Sequence, residues 1–270
     1  MIEIDRMCLG LSQVGADCDC RDHSPKRRRR PISQTGRMRE DMKTLGLIGG
    51  TTWVSTVDYY KYINQLTHER LGGATSARLI LYSVNFAEMM KFVNADDWDS
   101  VANFLSKAAV KLEAAGADAI VLCANTTHIV ADVVQQSVKI RILHIVDAVA
   151  EEIKKQGLKK VGLLGTRFTM ERDFFKHRLA GYGIEAIVPD AAGRDFVHDS
   201  IYNELGKDIF RDETRQKYVE IIDDLRAGGA EGVILGCTEI PMLVKQSDCS
   251  IPAFDTTLIH AKYAVDFALS

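Results

Sequence analysis

The sequence of 270 residues contains no apolar run near the ~20 residues that a membrane-spanning helix needs. Its longest apolar runs, such as Ala119 to Leu122, have the length of a strand, so no membrane partner is expected. An excess of positive charge is also missing. Lys and Arg number 34 against 37 Asp and Glu, a net charge of −3, which excludes a broad basic field for nucleic acid. No apolar core precedes a small-residue cleavage site at the N-terminus, so secretion is not expected. Neither Gly-x-Gly-x-x-Gly nor Gly-x4-Gly-Lys-Ser/Thr occurs, so a nucleotide cofactor is not implied. Cysteine is scarce, and Cys8, Cys18, Cys20 and His23 lack the paired Cys-x2–4-Cys spacing that presents two thiolates to one ion. No metal is expected, and reduced core thiols fit a cytoplasmic compartment.

What is present divides in two. Residues 1–42 show no sustained apolar period and carry the basic run Lys26 to Arg30, which reads as a disordered leader. The run is explained as well by a solvated extension as by a targeting or nucleic-acid patch, and Met42 would make a natural start. From Lys43 onward strand-like runs alternate with helical stretches. The strands are read at Leu45–Ile48, Leu79–Val84, Ala119–Leu122, Arg141–Ile145, Val161–Leu164, Ile184–Val188 and Gly232–Leu235. Helical spacing is clearest at Ser55–Arg70, Val101–Ala115 and Lys217–Ala227. This alternation predicts an α/β fold of parallel sheets flanked by helices, with function at the carboxyl ends of the strands.

The pattern also repeats. Lys43-Thr-Leu-Gly-Leu-Ile-Gly49 returns 116 residues later as Lys159-Lys-Val-Gly-Leu-Leu-Gly165. Ala115-Gly-Ala-Asp-Ala-Ile-Val-Leu122 returns 113 residues later as Gly228-Gly-Ala-Glu-Gly-Val-Ile-Leu235. Two similar lobes with a cleft between them are expected, and such a cleft is the usual place for a small molecule.

Each second strand of these pairs ends in a thiol. Cys123-Ala-Asn-Thr-Thr-His128 follows one, and Gly236-Cys-Thr-Glu-Ile-Pro241 follows the other. A cysteine between strand end and helix start meets free N–H groups that favour thiolate, although a buried cysteine is also a common inert core residue. Thr51, Thr52 and Thr166 occupy the earlier strand ends. Hydroxyl and amide side chains there can cap helices or grip a carboxylate.

Four segments together, Leu47-Ile-Gly-Gly-Thr-Thr-Trp53, Val121-Leu-Cys-Ala-Asn-Thr-Thr-His128, Leu164-Gly-Thr-Arg-Phe-Thr-Met170 and Ile234-Leu-Gly-Cys-Thr-Glu-Ile-Pro241, resemble the aspartate/glutamate racemase family, most of all its aspartate branch. The resemblance runs from about Lys43 to Ser270. It implies a cofactor-independent racemase of aspartate or glutamate with two pseudo-symmetric lobes, commonly a homodimer, whose last helix returns to the first lobe. The lobes then comprise residues 43–145 with 257–270, and residues 146–256.

Inverting an α-carbon without pyridoxal needs one group to remove the proton and another to return it on the opposite face. The resemblance assigns these tasks to Cys237 and Cys123. Donors must stabilise the carbanion through the carboxylate, and Thr51, Thr52, Asn125, Thr126, Thr166 and Thr238 are the candidates. His128 would orient or deprotonate a thiol, or serve as a structural hydrogen-bonder. Glu239 would position the thiol or the substrate ammonium, or complement a helix dipole. Lys207, Arg167 and Arg194 are candidates for a distal carboxylate.

One departure changes the expectation for the first thiol. Many family members place cysteine directly before Asn-Thr, whereas Ala124 intervenes here, and the 113-residue repeat sets Ala124 opposite Cys237. A one-residue shift in a strand turns the side chain to the other face unless a bulge intervenes. Cys237 would then act alone, with unequal handling of the two enantiomers. A single-cysteine dicarboxylate isomerase or decarboxylase, or a catalytically silent amino-acid-binding protein, are the alternatives.

Overall fold

The structure, a computed structural model, describes residues 41–270. The leader, its basic run and the Cys8, Cys18, Cys20 and His23 group lie outside the described residues, apart from the leader's last two.

Two parallel four-stranded sheets carry the fold. The first comprises β1 (Leu45–Gly49), β2 (Leu79–Ser83), β3 (Ala119–Leu122) and β4 (Arg141–Leu143) in the order β2-β1-β3-β4. The second comprises β5 (Lys160–Gly165), β6 (Glu185–Ile187), β7 (Gly232–Gly236) and β8 (Ala253–Asp255) in the order β6-β5-β7-β8. The two orders are the same. Strand β8 is absent from the sequence reading; of its three residues only Phe254 is buried, so no apolar run marks it.

Both faces of each sheet are covered, so the central strands are apolar throughout and alternation decides only which layer each side chain joins. In the first sheet Leu45, Leu47, Ala119 and Val121 join Tyr59 and Ile63 of α1 (Trp53–Leu71) and Ala261, Ala264 and Val265 of α11 (Thr256–Ala268). Ile48, Ile120 and Leu122 join Leu105, Ala109 and Leu112 of α3 (Trp98–Ala114) on the opposite face. In the second sheet Val161, Leu163 and Ile234 pack on α5 (Ile145–Lys155) and α7 (Asp173–Ala180). Leu164, Val233 and Leu235 pack on α8 (Ala191–Asn203) and α9 (Asp212–Ala227). Each such leucine is fully buried, and truncation of Leu122 or Leu164 to alanine would cost about 2–5 kcal/mol.

The strand ends are shaped by close backbone approaches. Gly50 has φ 83°, and a Cβ there would stand 2.2 Å from the Val84 carbonyl oxygen. Only glycine makes this turn, which delivers Thr51 and Thr52 to the end of the sheet. Thr52 then caps α1 by accepting the Ser55 N–H, and Thr166 caps α6 (Arg167–Glu171) by accepting the Thr169 N–H. The last helix, α11, packs on α1 and α5, and the Lys43 N–H donates to Ala268 O at 2.9 Å. No helix among the described residues is long and apolar enough to cross a membrane.

Candidate active site

A cavity of about 260 Å³ lies where the carboxyl ends of the two sheets meet. Thr51 and Thr52 reach it from the end of β1, Ala124 to Thr127 from β3, Thr166 from β5, and Gly236 to Glu239 from β7. The duplicated strand-end segments are thereby brought to one space, where ligands of open parallel sheets bind.

Cys237 is 8% exposed on this cavity. Its Sγ donates to Glu239 Oε2 at 2.9 Å, and the Thr238 hydroxyl donates to the same oxygen at 2.8 Å. The other carboxylate oxygen, Oε1, accepts from the Thr52 hydroxyl of the first lobe at 2.7 Å. Glu239 therefore ties the lobes together beside the thiol. Burial, and then the charge and hydrogen bond of Glu239, push the Cys237 thiol well above its ordinary range. The expected gain from a helix start is small, because the helix that follows, α10 (Ile240–Leu243), has a single turn. The resting group is a thiol whose proton already points at a carboxylate.

Cys123 does not line the cavity, and Ala124 does. The cause is strand parity. The Cys123 N–H continues the ladder by donating to Ile48 O at 3.0 Å, so its side chain keeps the direction of Ala119 and Val121. No bulge resets the alternation. Its Sγ lies fully buried in the layer beneath α1 and α11, contacts Val121 O at 3.8 Å, and has its pKa raised by burial alone. The structure thus places Cys123 outside the cavity that Cys237 lines.

The donors gather as a network across the lobes. Thr126 and Thr166 share a hydroxyl–hydroxyl hydrogen bond of 3.1 Å, and Thr166 meets Thr169 at 3.2 Å. Asn125 Nδ2 donates to the Thr256 hydroxyl at 3.0 Å, which donates to Leu235 O at 2.9 Å. Three buried side-chain atoms lack a hydrogen-bond partner among the described residues, and two of them, Thr51 Oγ1 and Asn125 Oδ1, belong to residues of the cavity wall. Each unpaired buried atom costs about 1–3 kcal/mol. A ligand that supplies an acceptor to Thr51 and a donor to Asn125 would recover that cost, as an amino acid's carboxylate and ammonium do.

His128 is buried away from the cavity and touches no thiol. Its Nε2 accepts the Ile145 N–H at 3.2 Å, which leaves the proton on Nδ1 to donate to Ala124 O at 2.8 Å. The ring clips the end of β3 to the end of β4 and packs edge-on against His144 and His260. Of its two expected roles, this geometry fits the structural one. Arg167 pairs with Asp195 at 2.8 Å and Arg194 with Glu171 at 2.9 Å, and neither lines the cavity. Of the three candidates for a distal carboxylate, Lys207 alone reaches the wall, from an exposed position.

The remaining wall was not foreseen. Phe86, Met89, Met90 and Val93 of α2 (Phe86–Asn94) face Ile201 and Tyr202 near the end of α8 across the space. The stripe at 86, 89, 90 and 93 has helical spacing, but such a stripe reads as core unless the neighbouring lobe is known. Among the described residues no cluster of three or more His, Cys, Asp or Glu side chains could hold a metal ion.

The fold and sequence are similar to those of known proteins. A candidate Asp/Glu racemase from Yersinia pestis superimposes with a TM-score of 0.81 at 49% identity, covering 85% of this chain and 100% of that one. The aspartate racemase of Picrophilus torridus gives 0.68 at 26% identity, covering 84% and 94%. The broad specificity amino-acid racemase RacX of Bacillus subtilis is 26% identical over 174 residues, 64% of this chain and 75% of that protein. The family description Asp/Glu/hydantoin racemase matches residues 48–264, and the chain belongs to that family.

Proposed function

We propose that this protein exchanges the α-proton of aspartate or glutamate without a cofactor, and that Cys237 is the catalytic residue. The observation that carries the reading is the Cys237–Glu239 hydrogen bond at the wall of a cavity that Thr51 and Asn125 also line, each with an unpaired buried oxygen. Glu239 takes the thiol proton, and the thiolate removes the α-proton on the L face, the face that the family resemblance implies. The carbanion's charge passes into the carboxylate, where the Thr51 hydroxyl and the Thr126–Thr166 pair donate. Asn125 Oδ1 accepts from the ammonium. Ala124 stands where a second thiol would face the opposite side, so the returning proton comes from water or a threonine hydroxyl.

The test is proton NMR in deuterated water with L-Asp, D-Asp, L-Glu and D-Glu, alongside chiral chromatography. Loss of the α-proton signal mainly from the L substrates supports the reading. Equal exchange from both hands means that a second base exists, and absence of exchange from all four sinks the proposal. That Cys237 is the one cysteine among the described residues that lines the cavity also favours a second reading, a single-cysteine isomerase or decarboxylase of dicarboxylates, which would act on substrates without the α-amino group.

We extend the proposal to assembly and location, as a homodimer in the cytoplasm. The exposed stripe of Trp53, Val57 and Tyr60 along α1 supports association of two copies. Sedimentation velocity that returns a monomer at micromolar concentration would remove that part.

A further inference from the structure

Much of the cavity wall is built for apolar contact. Two walls from different lobes supply it: Phe86, Met89, Met90 and Val93 from one side of α2, and Ile201 with Tyr202 from α8. Met89 and Val93 are buried in the core of the first lobe and Ile201 in that of the second, so these walls are anchored rather than hanging in solvent.

A distal carboxylate finds little here. A charged group taken from water into a partly buried site needs fixed donors, typically arginine forks or several N–H groups. Arg167 and Arg194 are held by acidic partners outside the cavity. Lys207 is exposed, and an exposed ion pair contributes little. Apolar side chains gain from each buried CH₂, and paired methionines adapt to irregular shapes. The balance favours hydrocarbon over charge against this part of the wall.

We infer that the same site accepts neutral amino acids with long apolar side chains, of the size of methionine or leucine, with the side chain lying between α2 and α8. The inference rests on the α-proton chemistry proposed above and adds no new bond-making step. The carboxylate and ammonium remain at Thr51 and Asn125, and the same C–H bond is broken by Cys237. Only the side chain beyond the β-carbon changes its surroundings.

The experiment compares α-proton exchange of L-Met and L-Leu with that of L-Asp and L-Glu in deuterated water, for the wild type and for Met90→Arg. The expected result is a kcat/KM for L-Met at or above about one tenth of that for L-Asp, with the ratio falling about tenfold or more in Met90→Arg as a cation enters the wall. Exchange of L-Asp or L-Glu with L-Met below that mark, or an unchanged ratio in the variant, overturns the inference and leaves the chemistry standing. If no amino acid exchanges, the proposed chemistry fails and thermal denaturation with ligand decides the inference. A rise in Tm with L-Met that Met90→Arg abolishes supports an apolar subsite, and no rise overturns it.

Discussion

Ala124 stands in the first lobe where Cys237 stands in the second. Ile48 pairs with Leu122 in the first sheet as Leu164 pairs with Leu235 in the second, and two residues beyond each partner come Ala124 and Cys237. Ile120 and Leu122 share one layer, as do Val233, Leu235 and Cys237. Cys123 thus corresponds to Gly236, where a Cβ would approach the Leu164 carbonyl oxygen to 2.6 Å. One lobe fills that position with a core thiol, while the other leaves it bare.

The two cysteines should therefore respond differently to serine. Cys237→Ser is expected to reduce α-proton exchange to background while the fold persists. Cys123→Ser should leave exchange within about twofold, yet lose about 1–3 kcal/mol of stability as a hydroxyl enters an apolar layer. For a protein of this size each kcal/mol shifts Tm by about 2–4 °C. Equal loss of exchange in two folded variants would contradict the assignment.

Installing the missing thiol is the complementary test. Because Ala124 lines the cavity from the first lobe, Ala124→Cys adds a second thiol to the cavity wall. Exchange from the D enantiomer should rise relative to the L enantiomer, read by NMR with each hand separately. An unchanged D-to-L ratio would mean that a side chain at position 124 does not reach the α-carbon.

The residues that were legible in the sequence are those governed by local rules. Strand periods, the duplicated Gly-containing turns and the parity of Ala124 against Cys237 follow from spacing alone, and the structure has the same alternation. Glu239 was legible as a neighbour of Cys237, but not as the acceptor from Thr52, which is 187 residues distant. The α2 wall was hidden for a related reason. Phe86 and Met90 carry an ordinary amphipathic pattern, and only the approach of α8 from the other lobe turns that face into a cavity wall. The spacing of His128 leaves a role at a thiol and a structural role both open, and the ring's hydrogen bonds to two backbone groups fit the structural one.

Three buried histidines make stability depend on pH. Burial, the leading cause at each, lowers His128 well below its usual value, His144 to about 2 and His260 to about 4. His260 is held neutral between the Tyr59 hydroxyl at 2.8 Å and Leu143 O at 2.7 Å. Unfolded histidine titrates near 6.5, so below that pH the unfolded chain binds more protons than the folded one and stability falls. The contribution of His260 is present above about 6.5 and lost as pH descends toward about 4. Urea unfolding at pH 7.5 and pH 5.5 should show a lower midpoint at pH 5.5, and His260→Gln should weaken that dependence. Identical midpoints in the wild type would mean that these rings are protonated in the fold.

Glu239 should control the ionisation of Cys237. Burial is the larger cause of the raised thiol pKa, and the carboxylate's charge and hydrogen bond come next. Glu239→Gln removes the charge and keeps the burial, so the thiol pKa should fall while remaining above that of a free cysteine. Iodoacetamide alkylation of Cys237, followed by mass spectrometry across pH 7 to 10, should accelerate at lower pH in the variant. Exchange should nevertheless drop by about 10²-fold, because the group that takes the thiol proton is gone. Thr52→Val separates this effect from loss of the bond between the lobes. It removes the 2.7 Å hydrogen bond to Glu239 Oε1 and leaves the charge in place, so its alkylation profile should match the wild type. If Thr52→Val shifts the profile as far as Glu239→Gln does, the carboxylate acts by holding the lobes together and not through its charge on the thiol.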